Sequence, residues 1–175
     1  MTKLIIKNQN ELDYMDKNYT GELLIQFGEH SAPSFVENFS QATVIINEKY
    51  YAVVVDVQKV KAYDNSHVVT QKNTKIEAYN NAFVEAYSNS KVKAYDNSHV
   101  IGNEQATIEA YNNSQISLYS QNEFTAHANA TIVDTIFYKG KEIAGIGEQE
   151  NRLQSLTFQT NTSTDNIFVN RIILI

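Results

Sequence analysis

An eight-residue repeat fills the middle of the chain and constrains its fold more than any other feature. The string KVKAYDNSHV occurs at residues 59–68 and again at 91–100, and IEAYNN occurs at 76–81 and 108–113. Cut into octads from Val60, the sequence reads VKAYDNSH, VVTQKNTK, IEAYNNAF, VEAYSNSK, VKAYDNSH, VIGNEQAT, IEAYNNSQ, ISLYSQNE, FTAHANAT and IVDTIFYK. A unit this short cannot bury an apolar face alone, so successive units must stack on one another.

The residue types recur at fixed positions of the octad. Position 1 is Val, Ile or Phe, position 3 is mostly Ala, position 4 mostly Tyr, position 6 mostly Asn, and position 7 mostly Ser, Thr or Ala. Positions 7, 1 and 3 therefore alternate with positions 8 and 2, which is the pattern of a strand with one buried face. Positions 4 to 6 carry Asn and Asp, which tolerate positive φ and favour turns. Each octad is predicted to form a short strand followed by a corner.

Alternate octads form one strict series and one permissive series. The strict series repeats the same three residues, which we predict to be structural ladders: Ala62, Ala78, Ala94 and Ala110, Tyr63, Tyr79, Tyr95 and Tyr111, and Asn65, Asn81, Asn97 and Asn113. Members of the strict series recur every sixteen residues. This sixteen-residue period predicts an all-β, single-chain parallel β-solenoid (β-helix) with two strands in each coil. Coils spaced about 4.8 Å apart give a rod roughly 30 Å long. The crossover rule predicts a right-handed coil.

The ladders have a structural interpretation. We expect each Asn at position 6 to lie over the next, amide on amide, and the Tyr rings to stack on one another at the corner. The alternative, that the tyrosines stack sugars or bases, is weaker because Tyr recurs in register with Ala and Asn. Position 2 alternates in charge along Lys61, Glu77, Lys93 and Glu109, so neighbouring coils place opposite charges side by side.

Three segments are predicted. Residues 36–139 form the octad solenoid, where VENFSQAT from Val36 fits well and VIINEKYY and AVVVDVQK fit loosely. Residues 1–35 form an N-terminal cap with a strand (3–7), a helix (10–17) capped by Asn10, a second strand (22–27) and a loop (30–34). Residues 140–175 form a C-terminal cap or interface, because NIFVNRIILI is too apolar to be left in water and must pack over the last coil or join a second subunit.

The composition excludes several chemistries. There is no cysteine, hence no disulfide, thiolate zinc site or cysteine nucleophile. We predict no enzyme activity, cofactor or metal. His67 and His99 lie two coils, about 10 Å, apart, and together with His30 and His127 are predicted to be surface or corner residues. The net charge of −6 is spread along the chain, so no nucleic-acid partner is expected. No signal peptide or apolar span is visible, which predicts a cytoplasmic protein without a membrane partner.

A stripe of apolar residues faces outward in the permissive series. Val69, Ile101 and Val133 occupy position 2, and Ile172, Ile173 and Leu174 lie in the apolar C-terminal segment. Exposed apolar patches mark interaction sites, so these six residues are the candidates for a binding surface. The alternative for the stripe of Val69, Ile101 and Val133 is that a terminal segment of the chain covers it.

The recurring VxAYDNSxVxAY unit resembles a loose family of octapeptide-repeat proteins of bacterial prophages and mobile elements. The resemblance covers residues 60–131 well, extends weakly to the lead-in DKNYTGELLIQFG, and does not include the C-terminal segment. It implies a β-helix and a phage association, and it implies no particular activity. The expected function is a non-enzymatic rigid protein that presents its surface to a protein partner or to another copy of itself. The alternative is a carbohydrate-binding or polysaccharide-degrading phage appendage. A DNA-mimicking rod is disfavoured because the Lys/Glu alternation neutralises its face.

Overall fold

The computed structural model describes residues 2–27, 33–119, 122–127, 129–135 and 155–158. Within these ranges, one short helix, α1 (Gln9–Asp13), accompanies sixteen strands. The strands are β1 (Lys3–Ile6), β2 (Glu22–Ile25), β3 (Ser34–Glu37), β4 (Thr43–Ile46), β5 (Tyr51–Val55), β6 (Lys59–Ala62), β7 (His67–Gln71), β8 (Lys75–Ala78), β9 (Phe83–Ala86), β10 (Lys91–Ala94), β11 (His99–Gly102), β12 (Thr107–Ala110), β13 (Gln115–Leu118), β14 (Glu123–Ala126), β15 (Thr131–Thr135) and β16 (Ser155–Phe158).

The strands form two eight-stranded sheets. The first sheet has the order β1-β2-β4-β6-β8-β10-β12-β14, and the second has the order β16-β15-β13-β11-β9-β7-β5-β3. From β3 to β15 the chain alternates between the sheets, and neighbouring strands are parallel, with Val60 beside Ile76 and Val92 beside Ile108. The predicted parallel solenoid is confirmed, with about seven turns of sixteen residues. The handedness of the coil stays a prediction.

The core lies between the two sheets and is filled by positions 1, 3 and 7. The four ladder alanines (Ala62, Ala78, Ala94 and Ala110) are fully buried, as are most position-1 residues, such as Val68 and Ile108. Small residues at position 3 let the two sheets approach closely, while the position-1 residues supply the apolar volume. Position 7 is often a buried serine. Ser114 Oγ donates to the Tyr111 carbonyl of its own corner at 2.7 Å, whereas Ser66 Oγ and Ser98 Oγ have no hydrogen-bond partner among the described residues.

The corners place one residue of each octad in the left-handed region. Among the described residues, ten that are not glycine have φ between 54° and 61°, and all occupy position 5: Asn38, Glu48, Asp56, Asp64, Lys72, Asn80, Ser88, Asp96, Glu104 and Asn112. Hydrogen bonds between coils continue through the corner, for example from Tyr95 N to the Ala78 carbonyl at 2.8 Å. The predicted corner at positions 4 to 6 is confirmed.

The octad frame assigned to VENFSQAT is wrong. Val36 lies beside Val54, and Ser34 lies beside Ala52, so Val36 occupies position 3 instead of position 1. The side chain of Phe39 turns inward and is fully buried. Two exposed residues, 40 and 41, are inserted before the next buried position, and this insertion absorbs the offset.

The N-terminal segment differs from the prediction in its helix. The helix spans five residues, and its cap is Asn8 instead of Asn10. The reason is a reciprocal pair of contacts: Asn8 Oδ1 accepts from Glu11 N at 3.0 Å, and Asn8 Nδ2 donates to Glu11 Oε1 at 2.9 Å. The two predicted strands exist as β1 and β2. Both belong to the first sheet, where β2 pairs with β4 and β1 pairs with β2. The predicted loop ends early, because Ser34 already begins β3.

The C-terminal segment contributes one described strand. β16 pairs antiparallel with β15, with Ile132 beside Phe158. Ile172, Ile173 and Leu174 lie outside the described residues, as does His30.

Candidate interaction surface

The two sheets present different outward faces. On the first sheet, positions 8 and 2 carry mainly lysine and glutamate, and these side chains pair across coils: Lys93 Nζ lies 3.0 Å from Glu109 Oε2. Glu77 pairs with Lys59 at 2.7 Å, a diagonal neighbour, and not with Lys61 beside it. On the second sheet the same positions carry mostly aromatic and β-branched residues. The outward face of the second sheet is therefore the candidate surface.

The apolar part of this face is called here the outer patch. Its members point outward because they occupy positions 8 and 2 of β3, β5, β7, β9 and β11, and they are Phe35, Tyr51, Val53, Val69, Phe83 and Ile101. Five strands spaced about 4.8 Å apart and about 13 Å long give the face an area on the order of 300 Å². Phe35 is 51% exposed and Tyr51 is 41% exposed, whereas the other four are half-buried.

The aromatic rings of position 8 support one another. Tyr51 stacks on His67 with centroids 4.5 Å apart. His67 and Phe83 form a T-shaped contact at 4.7 Å, and so do Phe83 and His99 at 5.3 Å. A continuous column of rings on a regular sheet is held in place before any partner arrives, so little side-chain entropy would be lost on binding.

The polar groups beside the patch bond within the molecule. Glu85 Oε1 lies 2.7 Å from His67 Nε2, and Glu85 Oε2 accepts from the Tyr87 hydroxyl at 3.2 Å. Burial, and next the charge of Glu85, raise the pKa of Tyr87. His99 Nε2 lies 3.0 Å from Ser117 Oγ, and burial lowers the pKa of His99 and so favours the neutral ring. These groups are therefore paired without a ligand.

The tyrosine ladder forms as predicted. Tyr63, Tyr79, Tyr95, Tyr111 and His127 stack in sequence at 5.0, 5.0, 4.9 and 4.4 Å, with interplanar angles of 11° or less. Because each inner ring has both faces against its neighbours, only ring edges and hydroxyls point to solvent. Sugar stacking needs an open ring face, so this geometry favours the structural interpretation.

Two hydroxyls of this ladder contact the glutamate two residues earlier in the chain. Tyr111 donates to Glu109 at 2.7 Å, and Tyr79 donates to Glu77 at 3.1 Å. Hydrogen bonds from Tyr111 and then Lys93 lower the pKa of Glu109. Burial, then the charge of Glu77, raises the pKa of Tyr79. These contacts tie the ladder to the outward face of the first sheet.

The side-chain amide ladder lies one residue earlier than predicted. Asn65, Asn81, Asn97 and Asn113 are exposed. The links instead join position 5: Asn80 Nδ2 donates to Asp64 Oδ1 at 2.8 Å, and Asn112 Nδ2 donates to Asp96 Oδ1 at 3.3 Å. Asp96 Oδ2 also accepts from Asn80 N at 3.1 Å. The linked residues Asp64, Asn80, Asp96 and Asn112 are among those with positive φ.

The predicted interaction residues are only partly brought together. Val69 and Ile101 both belong to the outer patch, with Glu85 between them in the same column. Val133 lies in β15 beside Ser117, and its side chain is outside the described set. Phe35, Tyr51 and Val53 were missed because the octad frame is shifted at β3 and loosely defined at β5. For Tyr51 and Val53, the sequence signal that could have found them was the apolar run YAVVV, in which alternate residues must face outward.

Comparisons with known proteins give no family assignment: no family model, curated protein or solved structure matches the chain. Within the described ranges, no cluster of three His, Asp or Glu side chains is placed to hold a metal ion. The described part of the chain also contains no helix that is long and apolar enough to cross a membrane.

Proposed function

We propose that this protein is a non-enzymatic rod that presents the outer patch to another protein. The observation that carries the proposal is the asymmetry of the two sheets. The same fold positions hold paired charges on the first sheet and aromatic or β-branched side chains on the second. Folding alone requires only that the side chains at positions 1, 3 and 7 fill the space between the sheets, so apolar residues at the outward positions 8 and 2 call for a second explanation.

The composition of the patch fits a protein partner. Aromatic side chains are enriched at the centres of protein interfaces, and charged residues are depleted there. The one carboxylate on the patch, Glu85, already bonds to His67 and Tyr87, so an apolar partner would not leave it unpaired. A face on the order of 300 Å² lies at the lower end of patches that mark interaction sites, which favours a modest, reversible complex.

The resemblance to octapeptide-repeat proteins of prophages and mobile elements supports the same proposal from another direction. A small rigid rod encoded on such an element would act by binding a protein of the host cell. The cytoplasm is the compartment in which such a partner would be met.

The test is a comparison of two matched variants as baits in the cell that expresses the protein. V69K/I101K places two charges in the outer patch, and K61E/K93E changes charges on the first sheet. Both sets of positions point outward, but K61E/K93E breaks the Lys93–Glu109 pair and aligns four glutamates, so circular dichroism must first show that each variant is folded. A partner that is retained by wild type and by K61E/K93E, and lost with V69K/I101K, supports the proposal. Identical retention by the two variants would refute it, as would loss with K61E/K93E alone.

A further inference from the structure

The far edge of β1 is a second feature that the outer patch does not explain. β1 is the outermost strand of the first sheet, and its only described neighbour is β2. The side chains Leu4 and Ile5 are 36% and 51% exposed, although their counterparts in β2, Leu23 and Leu24, are buried. A sheet edge with exposed apolar side chains is a template for an added strand.

The backbone groups on this edge can be assigned. Thr2 and Ile6 give their carbonyls to Glu22 N and Gln26 N of the β2 side, at 2.9 and 2.8 Å. Since alternate residues of a strand turn their N–H and C=O to opposite sides, those of Lys3, Ile5 and Lys7 face the far edge. The Lys7 N–H is taken by Glu11 Oε2 at 2.8 Å. The backbone groups of Lys3 and Ile5 have no partner among the described residues.

The neighbouring edge shows how the fold closes a sheet. On β3, the Gln9 side chain accepts from Phe35 N at 2.9 Å and donates to the Phe35 carbonyl at 2.9 Å. A single amide of α1 therefore replaces a strand neighbour for the second sheet. On the first sheet, the same helix satisfies only the Lys7 N–H at the far edge of β1, through Glu11. The edge of β3 is therefore capped at Phe35 by a side chain, whereas the edge of β1 is open at Lys3 and Ile5 among the described residues.

The sequence of β2 indicates what fits beside β1. In β2, Glu22 lies beside Lys3, and three apolar residues follow it beside Leu4, Ile5 and Ile6. On the same sheet, Lys93 pairs with Glu109 of the next coil. Lys3 and the apolar side chains of β1 offer an equivalent surface to a strand on the other side. We propose that the far edge of β1 binds an extended segment of a partner protein in which an acidic residue precedes three apolar ones.

The test uses two labelled peptides, TGELLIQF, which repeats residues 20–27, and the charge-reversed TGKLLIQF, with affinity measured by fluorescence anisotropy. Wild type should prefer TGELLIQF by roughly two- to fivefold, the range expected for an exposed ion pair. Lys3→Glu should reverse the preference. Ile5→Pro removes an N–H that faces away from β2, so it should abolish binding of both peptides while β1 stays in the sheet. Ile5→Val is the matched control and should bind like wild type.

Four outcomes would overturn the proposal. Two concern the peptides: an unchanged preference in Lys3→Glu, or undiminished binding by Ile5→Pro in a folded chain. The third is a dimer by sedimentation that Ile5→Pro dissociates, because a second copy would then hold the edge. The fourth is slow hydrogen exchange of the Lys3 and Ile5 amides in the free monomer, because another segment of the same chain would then cover β1.

Discussion

The aromatic ladder allows a stability prediction that can be worked from ring geometry alone. Tyr95 lies between Tyr79 and Tyr111, with centroids 5.0 and 4.9 Å away and rings within 10° of parallel. Tyr63, at the start of the ladder, has a described ring contact only with Tyr79, at 5.0 Å. Each aromatic contact stabilises by about 0.5–1.5 kcal/mol beyond the burial of its area. Tyr95→Ala removes two such contacts and Tyr63→Ala removes one.

Tyr95→Ala should therefore cost about 1–3 kcal/mol from stacking alone. Both substitutions delete the same side chain from the same octad position, so their difference isolates one stack. Tyr95→Ala should lower the free energy of unfolding by about 0.5–1.5 kcal/mol more than Tyr63→Ala. The measurement is urea unfolding followed by circular dichroism, with an unchanged slope as the test that both variants unfold alike.

Two controls sharpen the comparison. Tyr95→Phe keeps both ring contacts and should change stability by less than about 0.5 kcal/mol. Tyr14 is 90% exposed and lies outside the ladder, so Tyr14→Ala should be close to neutral. The reasoning is refuted if Tyr63→Ala costs as much as Tyr95→Ala, or if Tyr95→Phe costs as much as Tyr95→Ala.

Three further predictions concern the core, the corner and the pH dependence. A Cβ at Gly102 would lie 2.6 Å from Ile108 Cδ1 and 3.1 Å from Leu118 Cδ2, and both side chains are buried with little room to shift. Gly102→Ala should therefore lower stability by about 1–3 kcal/mol, and an unchanged Tm would contradict this. Lys72 has φ 59°, so Lys72→Asn should raise stability by on the order of 1 kcal/mol in urea unfolding; a loss would contradict it. The Tyr111 hydroxyl and then Lys93 lower the pKa of Glu109 from 4.5. Stability that this carboxylate contributes above pH 4.5 is thus lost as pH falls through its folded pKa, and Glu109→Gln should flatten that acid limb of the Tm profile.

Much of the solenoid follows from the sequence because its constraint is local and repeated. In the strict series, from Ala62 to Ala110, position 1 is a larger apolar residue and position 3 is alanine, since both face a narrow space between two sheets. Ala62 and Ala78 therefore identify the buried face and the coil length together. The strict series needs no knowledge of distant contacts, because each residue lies beside its own equivalent in the next coil.

The predictions from the sequence fail where a single residue determines the local backbone geometry. The coil beginning at β3 is offset because Phe39 turns inward and two residues are inserted after it, a choice that octad spacing does not reveal. The side-chain ladder was assigned to Asn65 and Asn81, whereas the links involve Asp64 and Asn80. Positions 5 and 6 both carry Asn or Asp, and only the backbone φ distinguishes them.

The ends of the rod show why departures from the repeat carry information about partners. A stack of identical parallel coils would accept further coils without limit, so each end requires a residue or strand that stops the pattern. On the second sheet, Gln9 closes β3, and β16 runs antiparallel to β15 and so cannot continue the coil. Neither device occurs in the strict octads. Phe35 and Tyr51, the most exposed members of the outer patch, likewise lie in the coils that fit the octad least well. Folding accounts for the residues at the strict ladder positions, whereas residues that depart from the repeat can end the coil or contact a partner.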